Sequence, residues 1–463
     1  MTQLAEAGFD ELRAALDGAV IAPAEEGYDD ARRLWNAEHD RRPAVIVRVQ
    51  TDEDVQAAVR FGAAQGLEIA VRGGGHSVPG ASSVDDGLMI DLSLMNQVTV
   101  DPEAHRVRVG GGALLGDLDA ATQEYGLAVP AGMISHTGVG GLTLGGGMGW
   151  LSRMHGLSID NLESVRIVTA DGSILRAAED ENADLFWAVR GGGGNFGVVT
   201  EFEFRLHEAG PMVQFGLLFW GLDQGAEMLR AAREVIPSLP RELNVVIACL
   251  NAPPAPFVPA EHQFKPGYAL VVVGFGSPEQ HQEALERIRA AVPPLFEFAT
   301  PMPYVALQQL LDEANAWGHY CYEKGTYLER LTDGAIDVIT KHIPQKTSPM
   351  SVSMFYHLDN GYAEVADDAT AFSGGRTERY AMFIIAASPT LDGLEPERAW
   401  VRSFWAALQP HAINIGSYVN GMADADQDRI KAAYDGKYDR LAAIKRRYDP
   451  DNIFHRNQNI QPA

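Results

Sequence analysis

The chain has 463 residues, more than one compact core usually organises, so two domains are expected. It is 46% hydrophobic and 21% charged, with 37 Lys plus Arg against 62 Asp plus Glu and a formal net charge of −25. That balance speaks for a globular protein and against nucleic acid or an anionic membrane as partner.

The opening "FDELRAALDG" reads as an amphipathic helix with Phe9, Leu12 and Leu16 on one face, not as a signal peptide. Strands and helices then alternate: "PAVIVRV", the helix "DEDVQAAVRFGAAQ", "LEIAVR", "RVRVGGG", and a helix in which Leu115, Leu118 and Tyr125 share a face. From about residue 210 the strand-like runs "MVQFGLLFW", "YALVVVGFG", "MSVSMFYHL" and "RYAMFIIAAS" are separated by helices such as "PEQHQEALERIRAAV", the pattern of an antiparallel sheet covered by helices. The last fifty residues turn helical again. No apolar run approaches the ~18 residues of a membrane span. The two cysteines, Cys249 and Cys321, form neither a CxxC pair nor a disulfide framework, so the cytoplasm is the expected compartment.

The glycines crowd into residues 73–80, 110–116, 132–149 and 191–197. Backbone without side chains lets amides approach and cradle an anion, and four such loops fit one extended ligand. The single GxGxxG match, Gly192, Gly194 and Gly197, has its flanks reversed for a dinucleotide fold: helix-like "DLFWAVR" precedes it and strand-like "VVTEFEFRL" follows. No GxxxxGK[ST], HExxH or GxSxG occurs, and the histidines lack metal-ligand spacing, so no metal is expected. His76, in "VRGGGHS", stands on flexible backbone where a ligand, rather than a core, would be.

That motif resembles the flavin-attachment site of the berberine bridge enzyme-like FAD-linked oxidoreductases, within the vanillyl-alcohol oxidase / p-cresol methylhydroxylase superfamily. "TGVGGLTLGGGMGWLSRMHGLSIDNL", "FWAVRGGGGNFGVVTEFEF" and "KRRYDPDNIFHRNQNIQP" extend the resemblance over nearly the whole chain. It implies an α+β, two-domain FAD-binding fold: residues 1–208 and the returning segment 413–463 around the cofactor, and residues 209–412 as an antiparallel-sheet substrate domain. It further implies FAD bonded covalently to His76, with Arg72, Gly73, Gly74, Gly75 and Ser77 offering amides. Gly138, Val139, Gly140 and Gly141, then Gly145, Gly147 and Gly149, would run beside the flavin, with Asp160 and Asn161 closing the next turn. Gly193, Gly197 and Val199 would meet the adenine side, and Asn452, Phe454 and Asn457 would return the C-terminus to the cofactor. Many relatives add a cysteinyl link; here Ile134 takes that position, so a single histidyl link is expected.

Oxidation of an alcohol by hydride transfer to flavin needs a proton acceptor. "INIGSYVNG" alternates with period two, as a strand would, and places Tyr418 and Asn420 on one face; it resembles the family's YxN motif, so Tyr418 is the expected base with Asn420 orienting it. Tyr356 and His357, on opposite faces of "MSVSMFYHL", are candidates for a second polar group, His136 for a substrate contact and Lys324 for the pocket entrance. The expected partners are a small-molecule substrate, a sugar or natural-product alcohol, and dioxygen. A dehydrogenase with another acceptor and a flavin binder without turnover are the alternatives, and monomer and homodimer fit equally.

Overall fold

The computed structural model describes residues 6–463. Near the N-terminus a four-stranded sheet runs Ala19–Ile21, Val45–Arg48, Leu88–Asp91, Ile69–Arg72; the last three strands are parallel and end together. Their crossover helix, Asp52–Gln65, is defined at both ends by its sequence. Thr51 and Asp54 form a reciprocal capping box, and Gly66 terminates the helix with a left-handed φ of 65°. A five-stranded antiparallel sheet follows, ordered Val98–Asp101, Arg106–Gly110, Val198–Arg205, Leu162–Val168, Ile174–Ala178.

The third sheet has seven antiparallel strands: Phe296–Pro303, Met212–Gly221, Pro266–Gly274, Leu243–Asn251, Val352–Leu358, Arg379–Ser388 and Tyr320–Leu328. The four helices Gly225–Val235, Pro278–Ala291, Asp333–His342 and Leu391–Leu408 bury one face of it under a continuous apolar core. The other face looks toward the glycine-rich half. On the strand Val352–Leu358, Ser353, Phe355 and His357 are buried, whereas Val352, Met354 and Tyr356 keep partial exposure. Alternate burial of this kind marks a sheet packed on one side and hollow on the other.

Buried polar contacts join the halves. Arg153 is 1% exposed, pairs with Asp359 at 2.9 Å and donates to the carbonyls of Leu243, Ile236 and Leu239. Gln308 donates to Asp119 at 2.9 Å and to the carbonyl of Gly132. The C-terminal helices Gln427–Tyr434 and Tyr438–Tyr448 join the core of the five-stranded sheet through Ile430, Tyr434 and Leu441.

Three local expectations are corrected. The helix of Leu115 ends at Gln123 on the turn at Gly126, so Tyr125 lies beyond it, half-exposed, instead of sharing its buried face. The first helix, Glu6–Ala14, likewise stops short of Leu16, which packs on the same apolar cluster as Phe9 and Leu12 from outside the helix. The segment 413–421 is no strand. It bridges the edge strand Tyr320–Leu328 only through Ala412 and Met422; between those points it loops out, exposing Ile413 and Ile415, and Val419–Gly421 forms a 3-10 turn.

Candidate active site

A cavity of about 280 Å3 opens where three of the glycine loops, with Gly111 from the remaining cluster, meet the C-terminal tail. The parallel strand Ile69–Arg72 delivers the first loop. Gly73, Gly74, Gly75, His76 and Ser77 line the cavity, and no protein acceptor takes the amides of Gly74 to Ser77 among the described residues. The second wall is the loop entering the helix Val139–Gly145, with Gly138, Gly140 and Gly141 exposed to the cavity. The two walls touch through bare backbone: a Cβ on Gly74 would lie 2.3 Å from the Gly138 nitrogen, and one on Gly138 would lie 2.3 Å from the Gly74 nitrogen. Here glycine is a steric requirement, since any side chain would force the loops apart.

Gly193, Gly197 and Val199 form the third wall, with Phe454 and Asn457 from the tail. Helix Ala183–Val189 precedes this glycine run and strand Val198–Arg205 follows it, the reverse of a dinucleotide-binding turn. The tail is held by Lys445, wholly buried, whose ammonium donates to Asp449 at 2.6 Å and to the carbonyls of Asn195 and Phe454 at 2.7 and 2.8 Å. Asp449 in turn accepts the amides of Ile453 and Phe454. One buried ion pair thus seats the tail against the third glycine loop. Asn457 presents a buried side-chain oxygen without a protein partner, and Arg456 brings a cation to the cavity while pairing with Glu68 at 3.0 Å. Free amides, unpartnered polar atoms and walls without side chains fit an elongated anionic cofactor such as FAD.

Several expected residues serve the frame rather than the cavity. Arg72 ends its strand and turns its guanidinium to the carbonyl of Ala31. Val139 is buried beneath the second loop. Gly145 lies against Asn420, and Gly149 approaches the carbonyl of Ala131 so closely that no Cβ would fit. Asp160 forms a bidentate pair with Arg376 at 2.6 and 2.9 Å, and Asn161 donates to the carbonyls of His155 and Leu157. Asn452 adopts a φ of 53° in the turn after Asp449, outside the cavity lining.

At the inner end His76 stacks on Trp35, ring centroids 4.5 Å apart, and its Nε2 lies 2.7 Å from His136 Nδ1. Burial, with His136 beside it, pushes the His76 pKa down to about 3. The imidazole is therefore neutral near pH 7, the form that carries a nucleophilic lone pair.

Tyr418 stands at the seam between the second glycine loop and the seven-stranded sheet. Its hydroxyl oxygen accepts the Gly147 amide at 2.9 Å and Asn420 Nδ2 at 3.0 Å. Its ring packs near Phe372 and edge-on to Phe383. Burial raises the phenol to about 12, and the two donated hydrogen bonds pull the other way. The Tyr-x-Asn pairing anticipated for a strand is thus made by a 3-10 turn. Tyr356 belongs to this group, edge-on to Phe383 and 3.7 Å from Met133 Sδ. His357 does not: it faces the helix-covered side, near Tyr380 and 3.1 Å from Glu378.

The strand Tyr320–Leu328 carries a residue that the sequence reading passed over. Lys324 points to the helix-covered side, its ammonium 4.7 Å from the Trp405 ring centroid. Its neighbour Glu323 therefore faces the hollow, near enough to raise the pKa of both Tyr356 and Tyr418. No hydrogen bond or ion pair engages its carboxyl among the described residues, and burial raises it to about 8. A charged pair in an otherwise apolar, aromatic stretch was the available signal.

Comparison with known proteins places this geometry. Family models described as "FAD binding domain" and "Berberine and berberine like" match residues 43–178 and 417–461. (R)-6-hydroxynicotine oxidase from Paenarthrobacter nicotinovorans is 30% identical over 97% of both chains, and an FAD-linked oxidoreductase from Dictyostelium discoideum is 30% identical over 98% of this chain and 96% of its own. The crystal structure of 6-hydroxy-D-nicotine oxidase from Arthrobacter nicotinovorans superposes with a TM-score of 0.86 at 27% identity, covering 97% of this chain and 98% of its own. Glucooligosaccharide oxidase from Acremonium strictum, described with a 6-S-cysteinyl, 8α-N1-histidyl FAD, superposes at 0.85 with 26% identity over 98% and 99%. The chain belongs to the berberine bridge enzyme-like FAD-linked oxidoreductases, enzymes of the vanillyl-alcohol oxidase / p-cresol methylhydroxylase fold.

Proposed function

We propose that this enzyme is an oxidase that holds FAD through one histidyl bond at His76 and oxidises an alcohol carbon, with dioxygen as the final acceptor and hydrogen peroxide as product. FAD supplies the two-electron acceptor. The protein supplies position and proton handling. The amides of Gly74 to Ser77 neutralise phosphate charge without adding cationic side chains. Ile134 stands where relatives carry the second, cysteinyl link. Cys321 packs against Trp35, but burial raises its thiol to about 12, and Cys249 lies in the helix-covered core, so neither offers a thiolate.

The observation that carries the catalytic reading is the pair of donors on the Tyr418 oxygen. With two N–H groups directed at its lone pairs, the hydroxyl is held in one orientation, and a phenolate formed during turnover is stabilised where it forms. Once ionised to the phenolate, with its own proton released to solvent, Tyr418 takes the substrate's hydroxyl proton as hydride leaves the adjoining carbon. Asn420 and Gly147 keep it aligned, and Tyr356 shapes the same wall.

A second reading is favoured by Glu323. An unpaired carboxyl on the substrate-facing side suits a carbon that bears a basic amine, because an ammonium would complete the ion pair. Peroxide release from a panel of alcohols and amines, compared between wild type and Tyr418→Phe, tests both. Alcohol turnover that is lost in the variant supports the first reading; turnover of amines alone replaces it with the second. Acid precipitation beside His76→Ala tests the tether: flavin that stays with wild-type polypeptide and leaves the variant supports it.

A further inference from the structure

The hollow face of the seven-stranded sheet is almost bare of charge. Pairing across the ladder sets its members: one row puts Ala248 beside Met354 and Phe383, the next puts Val352 beside Ile385 and Glu323. Among the described residues, the strands carry two acidic or basic side chains on this face, Arg379 and Glu323. The Arg379 guanidinium is engaged by the carbonyls of Thr377 and Gly374, the Thr377 hydroxyl and the Tyr327 ring. Glu323 has no such partner. It is also the one residue from Cys321 to Leu328 that keeps partial exposure, so its carboxyl reaches into the hollow rather than into protein.

The same strand fixes where that carboxyl stands. Gly325, two residues on, lies so close to Ser417 that a Cβ would meet its hydroxyl oxygen at 2.4 Å, and Ser417 precedes Tyr418. Two residues of strand advance ~7 Å, the scale of one aromatic ring with a short arm. Tyr356 and Phe383 turn their rings into the same space, edge-on to each other at 5.7 Å, and ring faces attract cations. A polyol laid on this face would lose its water and find few hydrogen-bonding partners in exchange. An apolar body gains by the same burial. An ammonium beside Glu323 supplies the counter-charge that the buried carboxylate lacks, and a formal net charge of −25 draws cations to the protein.

We propose that the substrate is an apolar amino alcohol, whose ammonium pairs with Glu323 while its carbinol carbon is oxidised beside Tyr418. This rests on the reading that Tyr418 serves alcohol oxidation. The carbinol C–H bond breaks, its hydrogen and electron pair passing to the flavin as hydride. The O–H proton goes to the Tyr418 phenolate, and C=O forms. Dioxygen takes up the hydride's hydrogen, its electron pair and one proton as hydrogen peroxide. Every bond to nitrogen stays intact, so the amine anchors the substrate and does not react. Glu323 is thus a specificity-determining residue, set apart from the reading in which the amine-bearing carbon itself is oxidised.

The test uses the flavin-loaded, full-length enzyme at pH 8. Benzyl alcohols bearing a dimethylaminoalkyl arm at the para position are each paired with the isostere in which CH replaces nitrogen. We expect kcat/KM to favour the amine over its isostere by at least about tenfold, with an aldehyde that keeps its dimethylamino group as product. Glu323→Gln should bring that preference near unity by raising KM for the amine, whereas Glu323→Asp, which keeps the charge, retains it. Benzyltrimethylammonium has neither a hydroxyl nor a nitrogen lone pair, so it reads the site without turnover. It should perturb the flavin absorbance of wild type and bind at least about tenfold more weakly to Glu323→Gln. Equal turnover of both members of each pair by wild type overturns the inference, as does a Glu323→Gln loss confined to kcat and equal for both. Release of formaldehyde or dimethylamine overturns it in favour of oxidation at the amine. If Glu323→Gln fails to load flavin, the wild-type pairs decide alone. If no alcohol is oxidised while benzyltrimethylammonium binds through Glu323, the alcohol reading of Tyr418 falls and the ammonium site is kept.

Discussion

At the scale of single residues, chemistry and environment pull apart. Tyr418 is buried enough that its phenol rises to about 12, yet two donors meet its oxygen. Tyr418→Phe keeps the aromatic packing with Phe372 and Phe383 and removes only the hydroxyl. Flavin content should be unchanged, while anaerobic flavin reduction by substrate slows by about 10²-fold or more, the usual worth of a positioned acid–base group; stopped-flow absorbance reads both. Lys445 is the opposite case, a structural charge. Wholly buried with Asp449, it cannot be removed without stranding the carboxylate, at a cost of about 3–5 kcal/mol. Lys445→Met should lower the unfolding midpoint and weaken FAD retention together, because the same ammonium holds the tail and the third glycine loop. Calorimetry and flavin content report the pair; loss of one without the other would separate the tail from the site. The sequence drew attention to Tyr418, Asn420 and His76, and the structure pairs the first two and sets the third in the cavity wall. Glu323 was signalled only by its apolar, aromatic surroundings, and Lys445, in a charge-rich helix, by nothing, because a charge in a sequence carries no sign of being buried.

At the scale of elements, close backbone contact replaces side-chain chemistry. Gly138→Ala would place a methyl group 2.3 Å from the Gly74 nitrogen. The two loops must then separate, and flavin content, measured as the visible-to-ultraviolet absorbance ratio, should collapse while far-ultraviolet circular dichroism stays near wild type. Full flavin loading in that variant would show that the loops do not cradle the cofactor. Long periodic elements were legible: the helix Asp52–Gln65 carries both its caps in the sequence, and the strands Met212–Gly221 and Arg379–Ser388 are long apolar runs. The two edge strands of the seven-stranded sheet were not. Phe296–Pro303 contains Pro301 and Pro303, tolerated because an edge has one unpaired side, and Tyr320–Leu328 carries Glu323 and Lys324 on opposite faces. The segment 413–421 misled in the other direction. Its alternation was real, but it pairs with the edge strand Tyr320–Leu328 only at its two ends, and helix Gln427–Tyr434 packs so tightly behind Gly416 that a Cβ there would meet the Ala433 backbone at 2.5 Å.

At the scale of the molecule, the joint between the halves carries a titratable group. Asp119 is 1% exposed, and burial raises its carboxyl to about 7 despite the hydrogen bond from Gln308. A carboxyl whose folded pKa lies above the unfolded 3.8 stabilises fully below that value, and its contribution is lost as pH rises through about 7. Asp119→Asn keeps the shape and abolishes the titration. Its unfolding midpoint relative to wild type should therefore be higher at pH 8 than at pH 5, by an amount on the order of a few kcal/mol in stability. A constant difference across that range would mean that Asp119 does not ionise at the joint. Among the described residues, no helix is long and apolar enough to cross a membrane.

By itself the sequence determined what is local or repeated: capped helices, apolar strands, glycines wherever backbone must approach backbone, and a histidine presented on such a loop. Those properties depend on neighbours along the chain. The tertiary structure decided which of them meet. It brings Gly138 against Gly74 and sets His136 on His76, contacts spanning about sixty residues of sequence. It also turns Glu323 rather than Lys324 toward the hollow, and seats the tail through a charge pair that only burial makes strong. Which face of a strand is hollow, and whether a charge is in water, follow from the packing of distant elements, and no spacing within the chain encodes them.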